Sequence, residues 1–450
     1  MFRKPRDGGR TSCLPGRLRY LFISLVLLVA PAASADAAPP DAAPFPQPRT
    51  KKGLQVQMID DALALGVEHA ALNVDITRLI DPSGKASGPR HDRDGRRYDF
   101  TKAAVEDLDV RVKLLSDKGV VVYLILLPYA SGDAARDALL LHPNYARGKK
   151  ETGPIGMFNT TTPESTAWLA AVVEFLAARY NSQERGRVWG YIAGNEANSH
   201  WFWANMGLAN ADEVVEAYER AVRTIHAAVR TASANARTYI SLEHCWARRY
   251  SGGNASQCIA GRTFLDAFSA LVRQHGDFDW HVAYHPYPEP LTECRFWLDT
   301  THSVHRTNAP IVSLRNLEVL TSYLRQDELR WDGEPRRVIL SEQGFHCSDR
   351  PDAEREQAAA FALAYKTVAR ADGIDAFILH RHVDHADEGG LRLGLWTNKP
   401  GAISTPDRKR AMYDVFRAAG TAEEDKQFEF ALPILGAASW NEILERVAER

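Results

Sequence analysis

Two runs of sequence, VWGYIAGNE at Val188–Glu196 and VILSEQG at Val338–Gly344, decide the fold of this chain. Each begins with β-branched or aromatic residues, which favour a strand, and each then reaches a glutamate. A carboxylate at the end of a buried strand costs free energy unless it is paired or used. We therefore expect Glu196 and Glu342 to end two strands in a setting where their charge has a purpose.

Strand-like runs and helical stretches alternate between residues 53 and 420. Because parallel strands need a crossover, usually a helix, this alternation predicts a parallel sheet with helices around it. Seven strands are clear, and Leu54–Gln57 is the candidate for a short eighth, which would close a single-domain α/β TIM barrel, (β/α)8. An open doubly wound sheet is the alternative, although no Gly-rich phosphate loop follows an early strand. The other predicted strands are His69–Ile76, Val120–Leu127, Val188–Asn195, Thr238–Glu243, Trp280–His285, Val338–Glu342 and Ala376–His380.

The helical stretches between these strands are marked by apolar periodicity and by their ends. Asp99 and Thr162 stand where N-caps are expected. Residues 421–450 are predicted to pack on the barrel as a C-terminal segment that ends in a helix over Trp440–Glu449. The remaining predicted helices are Ile59–Leu65, Phe100–Lys118, Pro163–Tyr180, Ala211–Ser233, Arg262–Gln274, Leu314–Arg325 and Asp352–Ala371.

The first 35 residues have the composition of a secretory signal peptide. Arg17 and Arg19 precede an apolar run, and Ala33-Ser34-Ala35 supplies a small-residue cleavage site. The run is shorter than the roughly 20 residues that span a bilayer, so we expect cleavage and a secreted or periplasmic protein without a membrane anchor. Residues 36–52 are rich in Ala and Pro and are predicted to form a disordered linker.

The net charge of the chain limits the classes of ligand that it is expected to bind. The whole chain has a formal net charge of −2, and removal of the leader, which holds six Lys or Arg and one Asp, makes the remainder more acidic. Nucleic acid rewards basic surfaces, so a nucleic-acid partner is not expected. A neutral ligand such as a carbohydrate suits this charge.

Four cysteines remain after the leader, an even number in a protein predicted to be exported. Two disulfides are therefore predicted. Three pairings are possible, and Cys245–Cys258 with Cys294–Cys347 is favoured because these pairs would close one loop and join two neighbouring ones. The chain has no C-x-x-C spacing, so a zinc ribbon or a thioredoxin-like site is not expected.

The functional groups of a barrel lie at the carboxyl ends of its strands. Carboxylate, imidazole, amide and aromatic side chains are concentrated at the predicted strand ends. They are Asn73, Asp75, Tyr129, Asn195, Glu196, Glu243, His244, His285, Tyr287, Glu342, His380, Arg381 and Trp396.

Asn-Glu at the end of a fourth strand, with Glu at the end of a seventh, resembles the clan-A (β/α)8 retaining glycoside hydrolases. More specifically, GNEAN, YHPYP and LSEQGF look like a bacterial family of unknown function assigned to such barrels. The resemblance implies that Glu196 is the acid/base and Glu342 the nucleophile of a two-glutamate glycosidase that needs no cofactor. It departs from the usual pattern at Ala197, where Pro is common.

The resemblance also implies a set of substrate-binding side chains. An Asn before the acid can hydrogen-bond a sugar hydroxyl, and a Tyr after strand six can hydrogen-bond the nucleophile. The predicted substrate-binding residues are Asn195, His285, Tyr287 and Trp396, together with Asn73 and His380, which are predicted from their places at strand ends. Sequence alone leaves open whether such a pair retains or inverts configuration, because the distance between the carboxyl groups decides that.

Two alternatives remain. The first is a non-catalytic barrel that binds glycans. The second is a metal-dependent hydrolase, because His380, His382, Asp384 and His385 spell H-x-H-x-D-H after a strand, a pattern that can hold zinc.

For two further features we prefer a structural interpretation to a functional one. Glu243 has no partner motif and is interpreted as part of a structural hydrogen-bond network. The tryptophans in loops after strands four to six could stack on sugar rings, but loop packing is at least as good an interpretation for any one of them. They are Trp201, Trp203, Trp246 and Trp297.

Overall fold

The computed structural model describes residues 40–85, 87–148 and 153–448. The predicted signal peptide lies outside the described residues, as do residues 36–39 of the predicted linker. Eight parallel strands form the centre of the described chain. They are β1 (Lys52–Gln55), β2 (His69–Asp75), β3 (Val121–Leu127), β4 (Gly186–Ala193), β5 (Arg237–Glu243), β6 (Trp280–His285), β7 (Val338–Gln343) and β8 (Ile374–Leu379).

The sheet closes on itself. Each strand pairs in parallel with its neighbours in chain order, and β1 pairs with β8 to complete the circle, with Leu54 opposite Leu379. The predicted TIM barrel is therefore confirmed, and the open sheet is excluded. Strand one exists but covers Lys52–Gln55 rather than Leu54–Gln57, because its short buried run gives little periodicity to fix its ends.

Helices follow the strands and pack around them. Thr162 caps the helix Pro163–Arg179 as predicted, since its side chain accepts from the backbone N–H of Ser165. The predicted cap at Asp99 is wrong: Thr101 precedes the helix Lys102–Ser116, and Asp99 ends a hairpin strand and pairs with Arg90 and Arg97. The eight helices of the barrel are α1 (Ile59–Ala64), α2 (Lys102–Ser116), α3 (Pro163–Arg179), α4 (Ala211–Ala232), α5 (Gly261–Gln274), α6 (Glu318–Tyr323), α7 (Ala353–Arg370) and α8 (Met412–Ala418).

The apolar core has two layers. The larger one lies between strands and helices, and the smaller one fills the barrel itself with side chains such as Tyr123, Tyr239 and Ile339. At the amino end of the strands, Phe45 contacts Trp189 edge-on with ring centroids 5.7 Å apart, and Arg237 lies over the Phe45 ring. The described part of the predicted linker therefore packs against the barrel.

The C-terminal segment packs on the outside, as predicted. It forms three short helices at Glu424–Phe428, Ala431–Leu435 and Trp440–Ala448. Lys366 of α7 bridges to Glu424 at 2.8 Å. In the part of the chain that the structure describes, no helix combines the length and apolarity needed to cross a bilayer.

The predicted disulfides are not present: Cys245, Cys258, Cys294 and Cys347 are free and buried. The Cys258 thiol faces the backbone oxygen of Asn254 at 3.6 Å, and the Cys245 sulfur lies 3.8 Å from His244 Nε2. Burial raises the pKa of all four thiols, to about 12 for Cys294, so the thiolate needed for disulfide exchange is disfavoured. An even count of cysteines does not fix which of them meet.

Candidate active site

The two glutamates singled out by the sequence meet at the carboxyl end of the barrel. Glu342 lies in β7, and Glu196 follows β4 by three residues. One oxygen of each carboxylate and one ring nitrogen of His285 lie within 4.8 Å of one another. Residues 146 positions apart in the chain are therefore close enough to act on one bond.

A sharp turn places Glu196. Gly194 and Glu196 both have positive φ, 72° and 42°, and a short 3-10 helix then begins at Ala197. A non-glycine residue in this region is strained, and such strain is characteristic of functional sites. The backbone N–H of Glu196 donates to Ser241 Oγ of β5 at 2.9 Å, which fixes the turn. The Glu196 side chain is 8% exposed.

Glu342 is held by a donor on each oxygen. Tyr287 OH donates to Oε1 at 3.2 Å, and Gln55 Nε2 donates to Oε2 at 3.3 Å. The chain after β7 can approach the backbone of His380 closely because residue 344 is glycine: a Cβ there would lie 2.1 Å from the His380 backbone oxygen. The half-buried carboxylate is thus fixed between the ends of β1 and β6.

The two carboxyl groups differ in proton affinity. Burial raises the pKa of Glu196, and the charges of Glu342 and Glu243 add to this against the opposing hydrogen bond of His285. Burial also acts to raise the pKa of Glu342, but the charges of His380 and His285 and the hydrogen bond from Tyr287 outweigh it. The net pKa of Glu342 lies below its ordinary value. Glu196 is therefore suited to hold a proton while Glu342 is ionised.

His285 contacts Glu196 and lies near Glu342. Its Nδ1 lies 2.8 Å from Glu196 Oε1, and its ring is buried. Burial acts to lower its pKa, but the negative charges of Glu342 and Glu196 raise it overall. Of the predicted site residues, His285 and Tyr287 are therefore the two that contact the glutamate pair directly.

Two predicted substrate-binding residues, Asn73 and Asn195, lie at the carboxyl ends of strands, and their side-chain amides are not engaged in hydrogen bonds with other described residues. Asn73 lies in β2 two residues beyond Ala71, which points into the barrel, and Asn73 is exposed. Asn195 directly precedes Glu196 and is half-buried. Among the described residues neither side chain makes a hydrogen bond. Both amides are therefore free to bind a ligand. Their role in substrate binding stays a prediction.

The contacts of Trp396 are with residues other than the two glutamates. Its indole N–H donates to Asp61 of α1 at 2.9 Å, and its ring meets Tyr413 edge-on. His382 Nε2 contacts the same carboxylate at 2.9 Å. Trp396 is thus engaged in a cluster around Asp61, and its predicted place beneath a sugar has no support from these contacts.

The H-x-H-x-D-H run does not converge on one point. His380 faces Gln55 and Glu388, His382 faces Asp61, and Asp384 pairs with Arg410 at 2.6 Å. Among the described residues, the groups whose donor atoms converge contain none of these three side chains. Donor atoms that point to separate partners cannot share one ion, so this arrangement does not favour the metal-dependent hydrolase.

Sequence reasoning missed three residues of the site, of which only Gln55 contacts a glutamate of the pair directly. Gln55 ends the poorly marked first strand, and its place after Gly53 on the inward face was the available signal. Glu388 and Tyr250 come from loops and had none. Glu388 binds His380 and Arg381. Tyr250 has its pKa raised by burial and by the charge of Glu196.

The surroundings of Glu243 and of the loop tryptophans agree with a structural role, a hydrogen-bond network for Glu243 and loop packing for the tryptophans. Glu243 is 1% exposed and accepts hydrogen bonds from Asn198, Ser199 and the backbone N–H of Cys245. Trp201, Trp246 and Trp297 are buried in their loops, while Trp203 is half-buried.

The sequence matches a family described as a family of unknown function, DUF5722, over residues 44–443. The chain belongs to this family. The match spans the barrel and most of the C-terminal segment, so the predicted kinship with a family of unknown function is confirmed. A search of the curated proteins finds no significant match to this DUF5722 chain.

Solved structures share the fold of this DUF5722 protein. A family 39 glycoside hydrolase from the gut symbiont Bacteroides cellulosilyticus WH2 superposes with a TM-score of 0.55 at 16% identity, covering 86% of this chain and 66% of that one. The chain thus spans slightly less than two thirds of that protein. A hyperthermophilic β-glucosidase from Pyrococcus furiosus gives a TM-score of 0.51 at 14% identity, covering 83% and 85%. The expected resemblance to barrels of glycoside hydrolases is confirmed at the level of fold.

Proposed function

We propose that this protein is an exported glycoside hydrolase that cleaves O-glycosidic bonds of a poly- or oligosaccharide with retention of configuration. Glu196 is the acid/base and Glu342 the nucleophile. The observation that carries the proposal is the approach of their carboxylate oxygens to within 4.8 Å. Retaining enzymes hold the two carboxyl groups roughly 5–5.5 Å apart, whereas inverting enzymes need about 6.5–9.5 Å to admit water.

The order of proton affinities suits the two steps. Protonated Glu196 gives its proton to the glycosidic oxygen as Glu342 attacks the anomeric carbon, which forms a glycosyl ester and releases the leaving group. Glu196, now ionised, then takes a proton from water, which attacks the same carbon and frees Glu342. The raised pKa of Glu196 and the lowered pKa of Glu342 are the states in which the first step begins.

The surroundings of the pair support a carbohydrate ligand. Asn73 and Asn195 offer uncommitted amides at the mouth, and amides can donate to and accept from sugar hydroxyls. Two solved structures that share the fold with TM-scores above 0.5 are described as a family 39 glycoside hydrolase and a β-glucosidase. Export is proposed from the signal-like leader.

The test uses a panel of glycans and of 4-nitrophenyl glycosides of both anomers, with wild type, Glu196→Ala and Glu342→Ala. Each variant should lose at least about 10²-fold in activity. Azide can enter the space left by either carboxylate. It should rescue Glu342→Ala to give a glycosyl azide of inverted configuration, and Glu196→Ala to give one of retained configuration.

The matched control is Glu184→Ala, which removes a largely exposed carboxylate from a surface loop and should keep full activity. Activity that survives both site variants would overturn the proposal. If wild type hydrolyses nothing yet binds a glycan on an array, and both alanine variants bind it equally, the protein is a glycan-binding barrel instead.

A further inference from the structure

A chain of side chains runs from Glu342 to the loop after β8. Gln55 Nε2 contacts Glu342 Oε2 at 3.3 Å, and Gln55 Oε1 lies 2.6 Å from His380 Nδ1. His380 Nε2 lies 2.7 Å from Glu388 Oε1, which Arg381 also contacts. The groups come from the ends of β1, β7 and β8 and from the loop that follows.

The hydrogen-bond partners of Gln55 in this series of side chains allow only one orientation of its amide. If the amide were turned over, its oxygen would face the Glu342 carboxylate, and two acceptors would repel each other. With the amide as found, its oxygen accepts from His380 Nδ1. The other ring nitrogen faces the Glu388 carboxylate, so each nitrogen of the His380 ring has an oxygen acceptor opposite it.

We propose that Gln55 and His380 are positioning residues for Glu342, with His380 fixing the Gln55 amide so that it holds one edge of the carboxylate. This rests on the proposed function, in which Glu342 is the nucleophile. Tyr287 holds the other edge from the opposite side. Glu388, which Arg381 holds, anchors His380. Because His380 is only 9% exposed, its ring cannot turn away without breaking its hydrogen bonds to Glu388 and Gln55.

The electrostatics agree with the geometry. After burial, the charge of His380 is the largest influence on Glu342, and it lowers the pKa of that carboxyl. The other charged or titratable groups that face Glu342 are His285, Tyr287, Glu388, Glu196 and Tyr129. Glu388 alone would raise the pKa of Glu342, but its partners His380 and Arg381 offset its charge.

The test replaces each link. Gln55→Met keeps the length of the side chain and removes both hydrogen bonds. His380→Asn keeps a donor near the position of Nδ1 and removes the ring charge. The control is Gln57→Met, two residues along the chain, because the Gln57 amide bonds to Ser404 at the surface.

The first readout is the titration of the Glu342 carboxyl, followed by carboxyl ¹³C NMR and assigned with Glu342→Gln, which requires no turnover. In Gln55→Met and in His380→Asn its midpoint should rise by about one pH unit, and in Gln57→Met it should stay. The second readout is the acid limb of the kcat/KM profile, which should move in parallel. A merely structural role would change melting temperature and leave both titrations in place.

The outcomes separate the two proposals. An unchanged Glu342 titration in both link variants, or an equal rise in Gln57→Met, overturns the positioning role. A shifted titration in a protein that hydrolyses no glycoside leaves the positioning role standing and overturns the proposed function. Glycoside hydrolysis together with an unshifted Glu342 titration overturns the positioning role and leaves the proposed function standing.

Discussion

Glu196 and His285 share a short contact in a closed environment. Glu196 Oε1 lies 2.8 Å from His285 Nδ1, and both side chains are nearly inaccessible to solvent. Glu196 follows β4 and His285 ends β6, and both strands pair with β5, so the contact forms only when these three strands assemble. Burial penalises the ionised carboxylate more than the imidazole supports it, and the pKa of Glu196 is raised.

The raised pKa of Glu196 predicts that Glu196→Gln stabilises the folded protein at neutral pH. A carboxyl whose folded pKa is above its ordinary 4.5 contributes stability that is full below about that pH and is lost as pH rises through the folded pKa. Glutamine cannot ionise and avoids this loss. Urea unfolding should show a gain on the order of 1 kcal/mol at pH 7–8.

The same measurement below pH 4.5 should show almost no difference between Glu196→Gln and wild type, since both side chains are then neutral. Glu184→Gln at the surface is the matched control and should track wild type throughout. A variant that is less stable at pH 8 than wild type would show that the ionised form is favoured by its surroundings.

Glu243→Gln should lower stability with little direct effect on chemistry. Each oxygen of Glu243 accepts from a buried donor, Asn198 Nδ2 at 2.8 Å on one side and the backbone N–H of Cys245 at 2.6 Å on the other. The amide would place an NH₂ against one of them. We expect the free energy of unfolding to fall by about 3 kcal/mol, measured by urea denaturation.

Kinetics at a temperature where Glu243→Gln is folded should give kcat/KM within a few-fold of wild type. A loss of about 10²-fold or more there, with unchanged stability, would place Glu243 in the reaction and contradict its structural role.

The barrel and its glutamates were predictable from sequence because both depend on local pattern. Alternating strands and helices predict a parallel sheet, and Glu196 and Glu342 lie at the carboxyl ends of the fourth and seventh strands, as expected. The contact of Tyr287 with Glu342 followed from the resemblance and is present in the structure. These features have a common cause, because the carboxyl ends of the strands in a closed barrel must lie close together.

The remaining features depend on distances that no local pattern encodes. The cysteines have spacing compatible with disulfides, but their side chains point to other partners. Trp396 lies beyond strand eight as expected, yet its ring turns to Asp61. Gln55 was hidden by the weak periodicity of β1, and Glu388 comes from a glycine-rich loop whose path is set by tertiary contacts.

Chelator should leave hydrolysis unchanged. His382 and Asp384 are committed to Asp61 and Arg410, so the H-x-H-x-D-H run is not arranged to hold an ion. Activity on the best glycoside, assayed after dialysis against a chelator, should equal that of the untreated protein. A loss restored by zinc would return the chemistry to this run, and His382→Ala would then abolish it.

Asp61→Asn should destabilise the protein at neutral pH and not at low pH. Burial acts to raise the pKa of Asp61, but hydrogen bonds from His382, Tyr413 and Trp396 outweigh it and lower the pKa to about 2 from 3.8. A depressed carboxyl contributes stability above its unfolded pKa and loses it as pH falls through the folded pKa. At pH 7 we expect a cost of about 2 kcal/mol, reduced by solvent screening.

The difference between Asp61→Asn and wild type should therefore shrink between about pH 4 and pH 2, as measured by urea unfolding across that window. Asp60→Asn is the matched control, because Asp60 neighbours Asp61 in α1 and is exposed. A gap that persists unchanged at pH 2 would mean that the charge of Asp61 contributes nothing and that the cluster of Trp396, Tyr413 and His382 is held by packing alone.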